Sequence, residues 1–338
     1  MAMTQTRARG EARLLRIDPC RRRFADGRIV ELPGSLRPGD LLVLNDAATV
    51  PASLGASAHG SRIEVRLAGE EAPGEHRAVL FGEGDWRTPT ERRPPPPVLA
   101  PGERLVFGDD LAAEIVARSP ISPRLVRLRF EPGRTPLIAR LFAHGRPVQY
   151  SHVAAPFALW DVQTAYGSRP WAVEPPSAGL SIPAATLIEL RRRGVRLAAL
   201  THAAGLSATG DPELDAALPL PERYDIPEET VAAVGETRRA GGRVVAVGTT
   251  VVRALEGATL AAGRLVAGPG VTDLRIGPDF RPRVVDGLLT GLHEEGSSHL
   301  RLLAAFVAPP LLDAAYAHAA AAGYTGHELG DSSLVLCS

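Results

Sequence analysis

The sequence predicts an α/β protein whose larger domain is interrupted by a small antiparallel β-barrel. Compact apolar runs alternating with helical segments occupy the chain after about residue 148, the pattern of strands buried on both faces. Residues 56–147 differ: short strands of period two, with Gly and Pro corners and little helical spacing. An opening segment of residues 1–55 could hardly build its own core, so it joins residues 148–338 in one α/β domain and the barrel is inserted.

Along the chain, residues 28–36 read as a strand, Pro38-Gly39-Asp40 as a turn, and Leu41 to Leu44 as a buried strand ending at Asn45-Asp46. In the inserted segment, Ile63 to Leu67 and Leu125 to Phe130 alternate cleanly and His76 to Phe81 less so, with turns at Pro101-Gly102 and Gly108-Asp109-Asp110. Pro94 to Pro97 is a stiff polyproline stretch. Beyond it, Ala184 to Arg193 is helical and Gly194 stops it before a strand over Val195 to Leu200. Pro227 to Arg239 is a second helix, with proline and two acids in its first turn, and Gly241-Gly242 ends it. Arg243 to Gly248 is a strand and Thr249 to Ala262 a helix. Leu300 to Ala322 forms helices broken at Pro309-Pro310, and Leu334 to Leu336 is a last strand.

Composition narrows the function. The 38 basic and 38 acidic residues cancel, which gives no support for a nucleic-acid partner but leaves room for a local basic patch, with Arg21 to Arg23 and Arg191 to Arg193 as candidates. Ordinary solvated surface is the other reading of both clusters. Every basic residue is arginine, so Schiff-base and lysine-base chemistry is excluded. No run approaches the roughly 20 apolar residues that cross a bilayer, and Met1 to Arg16 lacks a secretory apolar segment. No membrane association and a cytoplasmic location are expected. Cys20 and Cys337 lie near opposite ends without C-x-x-C spacing, and neither a disulfide scaffold nor a zinc site is expected.

Polar islands at the ends of the apolar runs carry the candidate chemistry. Gly248-Thr249-Thr250 stands where a strand meets a helix, with Arg253 one turn further on; backbone N–H groups and hydroxyls there suit a carboxylate or ribose hydroxyl. Capping alone would explain one threonine. In Pro175 to Leu180, Ser177 is a hydroxyl donor and Gly179 would let a ligand approach the backbone, unless this is a plain loop. Asp286 is either a ligand anchor or a helix cap. His293 is a candidate proton acceptor or donor. The cluster His293, Glu294, Glu295 and His299 lacks H-E-x-x-H spacing, and no metal is expected. His202, at the end of an apolar run, is a site residue or a buried structural histidine. Glu222 could accept a proton or hold a ribose hydroxyl, and Asp331 could close one wall of a pocket.

These segments, in order, resemble the S-adenosylmethionine:tRNA ribosyltransferase-isomerases of queuosine synthesis. The similarity runs through Pro38 to Asn45, Thr49 to Ala52, Gln163-Thr164, Pro176 to Leu180, Glu222 to Pro227 and Ala246 to Glu256, then Val284 to Thr290, His293, Ser297, Tyr324 and Gly330-Asp331. The resemblance implies an α/β domain with an inserted barrel, and S-adenosylmethionine as a consumed substrate rather than a resident cofactor. It implies transfer of the ribosyl part to the aminomethyl group of a 7-deazaguanine in tRNA, with release of adenine and methionine. On that chemistry His293 is the first candidate base. Asp286, Glu222 and Asp331 orient ribose or protonate adenine, Arg253, Thr249 and Thr250 bind the methionine end, and Ser177, Gly179, His202, Ser297 and Tyr324 complete the substrate contacts. Departures gather at the same segments: Ser181 stands where the family has a histidine after Ala-Gly-Leu, and Val148 to Val153 lacks the family's arginine. Clustered departures favour an altered reaction, with a small-molecule acceptor ahead of tRNA. A non-catalytic S-adenosylmethionine-binding protein is the third reading. The oligomeric state is not legible.

Overall fold

The computed structural model describes residues 9–153, 155–294, 296–326 and 329–338. The chain enters through β1 (Leu14–Asp18) and β2 (Arg23–Ala25), then β3 (Leu41–Asn45) and β4 (Ala47–Thr49). Six strands close into an antiparallel barrel: β5 (Ser53–Ala58), β6 (Ser61–Ala72), β7 (Glu75–Phe81), β8 (Arg104–Gly108), β9 (Leu111–Arg118) and β10 (Leu125–Phe130). Helix α1 (Leu137–His144) and β11 (Arg169–Ala172), which pairs with β4, lead back to the main sheet. There follow α2 (Ala184–Arg192), β12 (Arg196–His202), α3 (Pro212–Ala217), β13 (Glu222–Ile226), α4 (Glu228–Arg239), β14 (Val244–Val247) and α5 (Thr249–Ala262). The last elements are β15 (Gly268–Thr272), β16 (Gly287–Gly291), α6 (Ser298–Leu303), α7 (Pro309–Ala321) and β17 (Ser332–Val335).

The main sheet has nine strands in the order β15-β13-β12-β3-β14-β16-β17-β1-β2. Its centre is parallel, with β3 bonded to β12 and β14, and β14 to β16. Strand β17 runs antiparallel to β16, and β1 parallel to β17. Both faces are covered, which is why the central strands read as unbroken apolar runs. Leu41 and Val43 of β3 enter one core with Val244 and Ala246, while Leu42 and Leu44 enter the opposite core with Val245 and Val247. The barrel has a third core, built on Leu54, Val65, Leu80 and Leu128. Its insertion between β3 and β12 is the architecture the change of texture implies.

Two expectations are corrected. Residues 28–36 are not a strand but contain a 3-10 helix at Ile29–Gly34. Ile29, Leu32 and Leu36 recur every three or four residues, which puts them on one buried face, and Pro33 could give no N–H to a ladder. Cys20 and Cys337, for which no disulfide was expected, are joined. Parallel pairing of β1 with β17 carries both chain segments out of the sheet side by side, and the N–H of Leu336 still bonds the carbonyl of Ile17 at 3.0 Å. Among the described residues no helix is long and apolar enough to cross a membrane.

Candidate active site

Strand direction decides which islands meet. Strands β12, β3, β14 and β16 all point the same way, so their carboxyl ends bring His202, Asn45, Gly248 and Thr290 to one edge of the sheet. Because β17 runs oppositely, its beginning brings Asp331, Ser332 and Ser333 to that edge too. This carboxyl edge is where open α/β sheets hold ligands. From β12 to β16 is three strand spacings, about 14 Å, enough for an extended nucleoside-sized ligand lying over Gly248.

Asn45 organises the centre. Its amide oxygen accepts the N–H groups of His202 at 2.9 Å and Ala47 at 3.1 Å. Its amide nitrogen donates to the carbonyl of His202 at 3.0 Å and to the Thr250 hydroxyl at 3.2 Å. The sequence signal was present, a polar residue ending a wholly apolar strand, but it reads equally as a turn. Gly248 has φ of +92°, a conformation open to glycine, and this turns β14 directly into α5. Thr249 and Arg253 are buried along that first turn.

Beside Asn45 lies a buried acid, guanidinium and imidazole. The Nη1 of Arg253 donates to Glu222, and its Nε donates to the carbonyl of Leu274 at 3.0 Å. Glu222 also accepts the N–H of Gly205 at 2.6 Å, and its carboxylate is 3.5 Å from Nε2 of His202. The Nη2 of Arg253 and both ring nitrogens of His202 are buried without a hydrogen-bond partner. Unsatisfied polar atoms of this kind are costly unless something completes them, and a ligand edge with donors and acceptors would do so. Burial above all, then the Arg253 cation, pushes the pKa of His202 down to about 4, against the opposing pull of Glu222. His202 is therefore neutral at physiological pH.

That depression has a stability consequence. With an ordinary value of 6.5 when unfolded and about 4 when folded, the unfolded chain binds the extra proton first. Stability is full above pH 6.5 and falls as pH drops towards 4, by about 3 kcal/mol in total. His76 in the barrel, also lowered to about 4 by burial, acts in the same direction. Denaturant titrations at pH 7.5 and 5 should show this loss, and His202→Gln should make it shallower; an unchanged slope would contradict the assignment.

The remaining candidates divide. His293 follows β16, its Nε2 is 2.8 Å from the Thr290 hydroxyl, its N–H donates to Tyr316, and its ring stacks on His299 at 4.8 Å. Glu295, from the cluster for which no metal is expected, lies outside the described residues. Ser177 and Gly179 form a 3-10 turn beside Gly248, where Ala178 would be 3.5 Å from a side chain at Gly248. The space of Gly179 belongs to the protein, however, since a Cβ there would lie 2.0 Å from the Tyr166 hydroxyl. Ser181 meets Ser332 through their hydroxyls at 3.0 Å, so the position that departs from the family stands at this same edge.

Asp331 is buried and accepts the N–H of Arg13 at 2.7 Å and of Thr325 at 2.9 Å, a structural clamp on the start of β1. Ser297 caps α6 by accepting the N–H of Leu300 at 3.1 Å. Tyr324 lies 3.7 Å from the Arg13 guanidinium and donates to Asp26 at 2.7 Å. Asp286 is at the opposite edge, at the start of β16, where it accepts the N–H of Val244 at 2.8 Å. Its carboxylate is thus a strand-end cap, one strand length from His293. Asp286→Ala should cost about 1 kcal/mol of stability and leave turnover intact in a steady-state assay.

Residues beyond those candidates also border the site. Tyr150 donates to Glu174, which accepts the N–H of Ser207 at 2.8 Å as well. Tyr150 and Glu174 line a narrow cleft with Gln149, His152 and Phe157, where the barrel returns to the sheet. Glu174 opens the polar island that ends at Ser181, but the sequence assigns it no role, because its partners are distant along the chain. Both basic clusters lie elsewhere: Arg21 to Arg23 follow the carboxyl end of β1, and Arg191 to Arg193 precede β12, which puts both at the edge opposite His202.

The chain's similarities run its whole length. The family profile described as "Queuosine biosynthesis protein" matches residues 1–335. An S-adenosylmethionine:tRNA ribosyltransferase-isomerase of Thermus thermophilus is 38% identical over 322 residues, covering 93% of this chain and 89% of the relative. The enzyme of that name from Gloeobacter violaceus is 37% identical, covering 90% and 84%. The crystal structure of S-adenosylmethionine tRNA ribosyltransferase from Thermotoga maritima superposes with a TM-score of 0.52 at 28% identity, covering 99% of this chain and 96% of that one. With this fold, these islands in this order and similarity across both domains, the chain belongs, as a divergent member, to the S-adenosylmethionine:tRNA ribosyltransferase-isomerase family.

Proposed function

We propose that this protein is an S-adenosylmethionine-consuming transferase and isomerase whose acceptor is tRNA. The observation that carries this reading is similarity over both domains to enzymes that bear that name, at 38% and 37% identity. It moves the tRNA acceptor ahead of the small-molecule acceptor that the clustered departures suggested. The convergence of Asn45, His202, Glu222, Thr250 and Arg253 at the carboxyl edge supports a site there, with Nη2 of Arg253 and the ring nitrogens of His202 buried without a partner.

In this reading, the N–H groups at the start of α5 and the Thr249 and Thr250 hydroxyls receive the methionine carboxylate. Arg253 is already paired with Glu222, so the two act together, holding ribose hydroxyls or the purine edge through the remaining Nη2. His202, neutral and fixed by Asn45, supplies a hydrogen bond rather than charge. The sulfonium acidifies the adjacent C5′ hydrogens, and His293, held against Thr290, is the candidate base that removes one. Asp331 positions Arg13 and Thr325 instead of touching the reacting atoms.

The test is mass spectrometry after incubating the purified protein with S-adenosylmethionine, with and without tRNA carrying 7-aminomethyl-7-deazaguanine. Adenine and methionine released only with tRNA, together with the ribosyl-derived mass gain on the base, is the expected result. Release without tRNA would overturn the acceptor assignment in favour of a small molecule. Tight binding without turnover in either mixture would make the protein a binder.

A further inference from the structure

The Cys20–Cys337 disulfide lies outside the candidate site, at the opposite edge of the sheet. It closes the chain between residues 317 apart and fastens the segment after β17 to the turn after β1. Cys20 is exposed and Cys337 partly so, which leaves the bond open to a thiolate from solvent. Arg21, Arg22 and Arg23 follow directly and are exposed. Cations there attract an incoming thiolate and stabilise the one that reduction leaves behind. Asp18 opposes them, its carboxylate lying within 4.8 Å of both sulfurs. That carboxylate is held in place by the N–H groups of Cys20 and Arg21, each at 3.1 Å, and by the Ser338 hydroxyl. Arg243 donates to the carbonyl of Cys337, so the chain end is clasped from the other side too.

We propose that Cys20–Cys337 is a reversible redox site, opened by a dithiol, that sets how firmly the last strand is held. One thiolate of the dithiol attacks Sγ of exposed Cys20, forming a mixed disulfide and expelling the Cys337 thiolate, which takes a proton. The second thiol, as its thiolate, attacks the mixed disulfide, releasing Cys20 and leaving the reagent as its own disulfide. Two electrons pass from dithiol to protein, and an oxidant of the disulfide class reverses the exchange. Opening the bond leaves the ladders of β17 with β16 and β1 intact, so the fold persists. The unfolded chain, however, gains the freedom that a 317-residue closure had removed. The arginine run thereby has a use that requires no nucleic acid.

The full-length protein, purified without reductant, is alkylated with N-ethylmaleimide before and after dithiothreitol, and its thermal unfolding is followed in both states. Expected are no labels before reduction, two after it, and a Tm lower by about 5 °C or more in the reduced form, regained on reoxidation with oxidised glutathione. Cys20→Ser should match the reduced protein and ignore dithiothreitol; Cys337→Ser serves if that variant fails to fold. Two labels without reductant, an unchanged Tm on reduction, or failure to re-form the bond would each overturn the proposal. None of these readouts depends on the acceptor.

Discussion

Arg253→Met is expected to lower adenine release at least 100-fold and to destabilise the protein by about 3–5 kcal/mol, because it leaves the carboxylate of Glu222 buried without its cation. Methionine fills most of the volume, so the loss comes from charge and donors rather than from a cavity. Arg253 is buried and spans Glu222 and the carbonyl of Leu274, while Glu222 still accepts from Gly205. A second readout separates chemistry from folding. With the guanidinium gone, one of the influences holding down the pKa of His202 disappears and burial alone opposes the pull of Glu222, so the folded value should rise and the loss of stability below pH 6.5 should become smaller. The double variant Glu222→Gln with Arg253→Met should recover much of the stability and none of the activity. Turnover near the wild-type rate in the folded Arg253→Met protein would remove this pair from the site.

Glu256→Ala is expected to have an equally large effect on stability with little on chemistry. Glu256 is fully buried on α5, and its carboxylate accepts three successive backbone N–H groups, those of Arg283 at 2.9 Å, Val284 at 2.9 Å and Val285 at 3.0 Å. Alanine strands all three donors out of water, a cost of about 3–5 kcal/mol by denaturant titration. Glu256→Gln keeps one acceptor oxygen and should cost about half as much. Activity per folded molecule should be unchanged in both, since the three donors lead into β16 from the edge opposite His293. A purely catalytic defect with wild-type stability would show that this carboxylate has another task.

The two substitutions lie one helical turn apart on α5, and the same local sequence presents both. The spacing from Gly248 to Glu256 marks a helix that starts at a strand end. It does not say that Arg253 turns towards β13 while Glu256 reaches the segment before β16. Asn45 and Asp286 make the contrast sharper. Each is a polar residue next to an apolar strand, and from sequence Asp286 looked the stronger candidate. Asn45 ends β3 and falls at the carboxyl edge, whereas Asp286 precedes β16 and falls at the other.

By itself the sequence determined what depends on neighbours along the chain. Buried strands showed as apolar runs, the barrel as period-two strands with glycine and proline corners, and helix limits as prolines and glycines, because backbone preference and side-chain alternation act over a few residues. The order of the polar islands also carried the family. The tertiary structure alone decided which islands share an edge, because that follows from strand direction and from neighbours far away in sequence. It decided that Gly179 makes room for Tyr166 rather than for a ligand, and that His202 is buried beside Glu222 and Arg253. It also joined Cys20 to Cys337, since only the parallel pairing of the first and last strands of the chain brings its two ends together.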